Sequence, residues 1–185
     1  MKLFKKRIIA ILVAILIVAS STLLSANIKL TKEFRDVTDG FYNGVLVNGK
    51  RDTSIHSQLL IVGKEAANLA AIAERNGIDV SQFKSDADYF SRDVITMQDD
   101  ISYINYCYRD MLEKIAEVSY SLTAVELSQN DETAAINSLQ AIMNAQSLID
   151  ASGYNESVRQ YLSSLPILTD FFAELAGVWP PEYFA

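Results

Sequence analysis

One cysteine, one histidine and three prolines confined to the last twenty residues are what this 185-residue chain is poorest in, and each scarcity removes an option. With Cys107 alone, no intramolecular disulfide can form, and a place beside an apolar stripe suits a packed thiol. Zinc draws on several His and Cys ligands, and the chain has two such residues in total. Nucleophilic catalysis needs a Ser or Cys beside a base that a third group holds. His56 stands instead at the start of an expected helix, a place for a surface or capping role. Asp86, Asp88 and Asp93 resemble the opening of a calcium loop without its central Gly and distant Glu. Asp99-Asp100 reads as a solvated helix face, and there is no glycine-rich phosphate loop. No catalytic residue, cofactor or metal is therefore expected, and no enzyme.

Glycine and proline are also missing between Gly77 and Gly153, so nothing there interrupts a helix. Steps of four and three residues from Phe83 land on Ala87, Phe90, Val94, Met97, Ile101, Ile104, Tyr108, Met111, Ile115, Val118, Leu122 and Val125, all apolar. The spacing predicts one helix over about 79–128, roughly 70 Å long at 1.5 Å per residue. A rod with a single apolar stripe cannot stand alone in water and must lie against other helices.

Charge is unevenly placed. The whole chain carries −7, but Lys2, Lys5, Lys6 and Arg7 precede the first acidic residue, so the remaining 12 basic residues face 23 acidic ones, a net of −11. An acidic body argues against a nucleic-acid partner, since phosphate contacts need clustered Lys and Arg. Residues 8–26 carry no charge over 19 positions, enough to cross a hydrocarbon core of about 30 Å. The reading is a basic cytoplasmic stub at 1–7 and a membrane-spanning helix at 8–26. The excess of Lys and Arg before it places the body outside, as a single-pass protein of the cell membrane. The same residues also fit a signal peptide cleaved after Ser20 or Ala26, which would leave the body secreted.

Leu30, Phe34, Val37 and Phe41 extend the anchor helix over about 28–42. A loop follows from Gly44 to Arg51, turning at Asn48-Gly49 with room for a short hairpin. Asp52, Thr53 or Ser54 caps a second helix over 54–76, with the stripe Ile55, Leu59, Val62, Ala66, Leu69 and Ala73 and an end at Asn76-Gly77. Gly63 inside it costs stability unless a neighbouring helix comes close. Polar residues 128–131 turn the chain, and Asn130 or Asp131 caps a fourth helix over 131–165. Ile136, Leu139, Met143, Leu148 and Val158 are among its apolar positions, with a kink at Gly153 and a stop at Pro166. A short helix and an aromatic tail fill 166–185. Short connections make neighbours antiparallel. The expected fold is all-α: an N-terminal transmembrane helix continuing into an elongated antiparallel helical bundle at 27–165. Three to four long helices pack there in left-handed, coiled-coil-like fashion.

Two surfaces follow. The second helix is too short to accompany the third to its end, leaving a distal half two helices thick. Tyr103, Tyr106 and Tyr120 sit there off the main stripe, able to meet a protein partner or a second copy, or to pack against the fourth helix. Phe171, Phe172, Trp179, Tyr183 and Phe184 return with the fourth helix toward the membrane, to cover the long helix or to anchor at the headgroups.

The run Tyr154-Asn155-Glu156-Ser157-Val158-Arg159-Gln160-Tyr161, with a later Gly-Val and a Pro-Glu-Tyr-Phe at 181–184, resembles the closing segment of LemA family proteins. The layout is similar as well: a basic start, one membrane helix, a bundle and an aromatic tail. Tyr154, Asn155, Val158 and Tyr161 are the matching positions. The chain departs from the family at Gln58-Leu59-Leu60 and Ala66-Ala67-Asn68-Leu69, where the family carries Gln-Arg-Arg and Ile-Pro-Asn-Leu, and at Tyr161-Leu162 in place of a second Tyr-Asn. The resemblance implies a membrane-anchored bundle without assigned catalytic residues. The expected function is a scaffold or protein-interaction module of the cell envelope. Two alternatives remain: a ligand-sensing or solute-binding helical module with a pocket near Tyr106 and Tyr108, or, with reversed topology, a cytoplasmic membrane-tethered coiled coil of the septation-ring-regulator type.

Overall fold

A computed structural model of the chain describes residues 2–97, 100–164 and 180–184, with the side chains of 2–16, 19, 26 and 97 outside that description. The fold is all-α apart from one small hairpin. In order come α1 (Lys2–Asn43), β1 (Leu46–Val47), β2 (Lys50–Arg51), α2 (Ile55–Arg75), α3 (Ser81–Tyr89), a π-helical segment (Phe90–Val94), α4 (Ile95–Met97), α5 (Ile101–Thr123), α6 (Gln129–Asp150) and α7 (Tyr154–Ser164). Among the described residues no helix is long and apolar enough to cross a membrane. Of the expected span at 8–26, the side chains of 8–16, 19 and 26 lie outside the described residues, as do Phe171, Phe172 and Trp179 of the expected tail.

The chain divides into two units, Met1–Thr38 with Arg159–Pro181, and Asp39–Val158 with Glu182–Ala185. In the first, Leu30 is buried, Lys29 pairs with Glu33 at 3.7 Å, and burial pushes the Tyr161 hydroxyl up, with the Glu33 charge adding to the shift.

The second unit is built around α2, against which α3, α5 and α6 all pack. Ser54 caps α2 by accepting from Ser57 N at 3.1 Å, and all six residues of the expected stripe are buried. The hairpin between α1 and α2 pairs Leu46 with Arg51 and Val47 with Lys50 around Asn48 and Gly49, both at positive φ.

The single rod expected over 79–128 is instead two antiparallel arms. Across them Lys114 Nζ meets Asp86 Oδ2 at 2.8 Å, and the hydroxyls of Tyr89 and Tyr103 lie 3.0 Å apart. In one continuous helix, residues 86 and 114 would be about 42 Å apart. Asp100 is therefore no solvated helix face. Its backbone is extended and its side chain accepts from Tyr103 N at 2.9 Å, capping α5; Asp99 lies outside the described residues. The stripe conceals the fold-back because both arms turn their apolar sides toward one core, and the four-residue step from Met97 to Ile101 keeps phase across it. Eleven of its thirteen stops are at most 7% exposed. Val125 is 36% exposed because α5 ends at Thr123, and the Met97 side chain lies outside the described residues.

This fold-back changes the distal end. With the rod divided, α2, α5 and α6 have matched lengths of 21, 23 and 22 residues. Arg75 and Asn76 at the end of α2 reach Asp131 at the start of α6 (2.6 and 3.2 Å). The distal half is not two helices thick, because α2 runs its full length.

The fourth helix expected over 131–165 is likewise two. Gly153 ends rather than kinks it, α6 stopping at Asp150 and α7 starting at Tyr154, and Ser128 caps α6 in place of Asn130 or Asp131. Its buried face is Ala135, Ser138, Ile142, Ala145 and Ile149, so Ile136, Met143 and Leu148 point outward at 58%, 60% and 44% exposure. Apolar residues stand on both sides of α6, and the small ones won the core because α2 also presents alanines, Ala66, Ala70 and Ala73. Small side chains let two helices approach closely and pack over a long contact. Gly63 is the other close approach. A Cβ there would collide with Ser91 Oγ and lie 3.5 Å from Phe90 Cδ1 in the π-helical segment. That segment's wider turn brings Ile95, off the four-three stripe, into the core at 1% exposure.

Candidate functional site

Two of the motif positions, Tyr154 and Asn155, meet residues 182 and 184 in the second unit as a clasp. Tyr154, fully buried at the start of α7, donates its hydroxyl to Glu182 O at 3.0 Å. Asn155 grips both backbone groups of Phe184, donating Nδ2–H to its carbonyl at 2.6 Å and accepting from its N–H at 2.8 Å. No other residue type offers a neutral side chain with donor and acceptor side by side, apart from the longer Gln. Glu182 in turn accepts from Ser102 N in the first turn of α5 at 2.9 Å, where a carboxylate also meets the positive helix pole. The Phe184 ring, 1% exposed, packs edge-on against Phe41 at 5.3 Å and tilted against Tyr108 at 5.5 Å. Val158 is fully buried; Tyr161 belongs to the first unit. Sequence separation hid this arrangement, because nothing local links Asn155 to a residue 29 positions later.

The tyrosines expected to meet a partner divide. Tyr106 and Tyr120 are 71% and 79% exposed on the outer face of α5, fourteen residues apart and so on one side of the helix, about 21 Å from each other. They do not pack on α6. Tyr103 shares a hydrogen bond with Tyr89, which holds its hydroxyl protonated to higher pH, and contacts Cys107, whose thiol burial pushes up. Tyr108, two residues from Tyr106, faces the core at 4% exposure, so the two do not line a common pocket.

The remaining polar groups serve the packing. His56 Nε2 lies 3.1 Å from Ile95 O, where the π-helical segment passes into α4. Lys114 is held between Asp110 at 2.7 Å and Asp86 at 2.8 Å, and these two hydrogen bonds raise its ionisation. Asp86 is thus an ion-pair partner rather than part of a cation loop.

Sequence reasoning missed one further feature. Where α5 ends and α6 begins, an open groove of about 470 Å³ forms between them, with Leu122, Ile136 and Leu139 in its wall. Its only sequence signal was the outward Ile136, read as core. No protein-family model, no curated protein and no solved structure matches this chain.

Proposed function

We propose that the chain is a single-pass membrane protein whose helical bundle stands outside the cytoplasm as a scaffold or protein-interaction module of the cell envelope. The observation that carries this reading is the outer face of α5, where Tyr106 and Tyr120 stand in solvent on a helix whose opposite face is sealed. Such side chains offer broad, rigid, amphipathic contact area at small entropic cost and concentrate at interfaces. The charge-free run at 8–26 supports the anchor, and Ile17, Val18, Leu24 and Ile28 on α1 are each more than 60% exposed. The four cations ahead of that run support the orientation. Four-three burial along α5 and α6 supports left-handed, coiled-coil-like packing in an elongated bundle. The clasp at Tyr154 and Asn155 gives the motif shared with LemA family proteins a structural task, which supports kinship with those anchored bundles.

A photo-crosslinking residue at position 106 or 120, in whole cells at native abundance, is expected to yield a discrete adduct with another protein or a second copy. The Tyr106→Ala, Tyr120→Ala pair, crosslinked from the neighbouring position 113, is expected to lose it. No adduct from either position overturns the reading. Protease added to intact cells after outer-envelope permeabilisation is expected to digest the body. A protected body reverses the topology, and a mature N-terminus beyond residue 20 makes the protein secreted.

A further inference from the structure

The groove between α5 and α6 carries charge as well as apolar surface. Leu122, Val125, Ile136 and Leu139 line it together with Glu126 and Glu132. Val125 is 36% and Ile136 58% exposed, so aliphatic surface faces water beside two carboxylates. Among the described residues neither carboxylate has an ion-pair partner, and the nearby Arg75 is already engaged by Asp131 at 2.6 Å. α5 brings its negative pole to the groove with no basic residue in its last turn, while the positive pole of α6 is offset by Asp131 and Glu132 in its first turn. The hydroxyls of Ser119 and Thr123 bond to their own helix at 2.6 and 2.7 Å, leaving the two carboxylates as the polar groups a partner meets.

We propose that this groove seats an amphipathic helix of a partner protein, its aliphatic residues at i, i+3 or i+4, and i+7 filling the trough and its Lys or Arg residues meeting Glu126 and Glu132. Charge selects this occupant. A second copy of the chain brings a body of net −11 beyond residue 7 and so like charge against like. A small ligand would find no buried polar group to orient it. The inference rests on the interaction-module reading and names the chemistry of the partner.

The test uses the full chain in maltoside micelles and the fluorescence anisotropy of a labelled 18-residue Leu/Lys amphipathic helix, with its Leu/Glu counterpart as control and empty micelles subtracted. The Leu/Lys peptide is expected to bind at least tenfold more tightly than the Leu/Glu peptide, and less tightly as salt rises. Glu126→Lys with Glu132→Lys is expected to invert that preference. Leu139→Asp is expected to weaken binding at least tenfold, with the helical circular dichroism signal retained. Asp88→Lys with Glu117→Lys, an equal charge change away from the groove, is expected to leave binding within twofold. Equal binding of the two peptides, no binding, or an equal loss in the Asp88 and Glu117 variant overturns the groove. Cellular crosslinks from position 106 that survive charge reversal in the groove remove the groove and leave the module standing. Absence of every crosslink removes the module itself.

Discussion

The fold-back between Met97 and Ile101 can be tested by distance. Gln82 on α3 and Ser121 near the end of α5 line one pocket of about 300 Å³, so both side chains stand in the walls of one small space. Were residues 81–123 one helix, the 39 helical steps from one to the other would set them about 58 Å apart. Gln82→Cys with Ser121→Cys, in a Cys107→Ser background, places two thiols there and replaces neither Lys114 nor its carboxylates, removing one hydrogen bond to Asp86. Among the described residues Ser121 Oγ–H donates to Glu117 O at 3.0 Å and Gln82 to Asp86 at 2.8 Å, both local contacts, so the pair should cost no more than about 1 kcal/mol. Pulsed electron spin resonance on nitroxides at the two positions is expected to give a distance under half of 58 Å. A short bismaleimide should close the pair within one molecule. Labelled protein diluted into an excess of unlabelled chain must keep that distance. A separation near 58 Å, or a crosslink that appears only between two chains, refutes the antiparallel arms.

Four further outcomes follow from single contacts. Gly63→Ala drives a methyl into Ser91 Oγ and should cost about 1–3 kcal/mol, or roughly 2–12 °C in the melting temperature, and adding Ser91→Ala should restore most of it. Gly44→Ala is more severe: at φ +83 its Cβ would overlap Asp52 O, a backbone atom that cannot swing away, so a loss above about 2 kcal/mol by thermal denaturation is expected. Asn155→Ala removes two hydrogen bonds to Phe184 at about 0.5–1.5 kcal/mol each, and hydrogen exchange at the Phe184 amide should quicken far more than exchange within α2. Burial pushes Tyr108 up to about 12 from the usual 10, so the unfolded chain releases this proton first as pH rises. Its contribution is intact below pH 10 and is lost between pH 10 and about 12, on the order of 2–3 kcal/mol, and Tyr108→Phe should flatten that part of the stability curve.

Local physics alone determined much of this protein. The helical class, the full stripe of α2 from Ile55 to Ala73, a cap among Asp52, Thr53 and Ser54, its end at Asn76-Gly77 and the turn at Asn48-Gly49 depend on neighbours a few residues away, and so are written in spacing and in turn chemistry. The burial of Phe83 through Leu122 was equally legible, because an apolar stripe states which side of a helix meets a core. It does not state whether that helix is one piece. Asp100 caps α5 only once the two arms have something to pack on, and Gln98-Asp99-Asp100 looks no more like a turn than polar runs inside ordinary helices. Which side of α6 is buried was likewise decided by α2, whose alanines admit Ala135 and Ala145 closely and leave the bulkier Ile136 and Met143 outside. The clasp of Asn155 on Phe184 and the groove beside Ile136 join residues distant in sequence, so only the folded chain could bring them into contact.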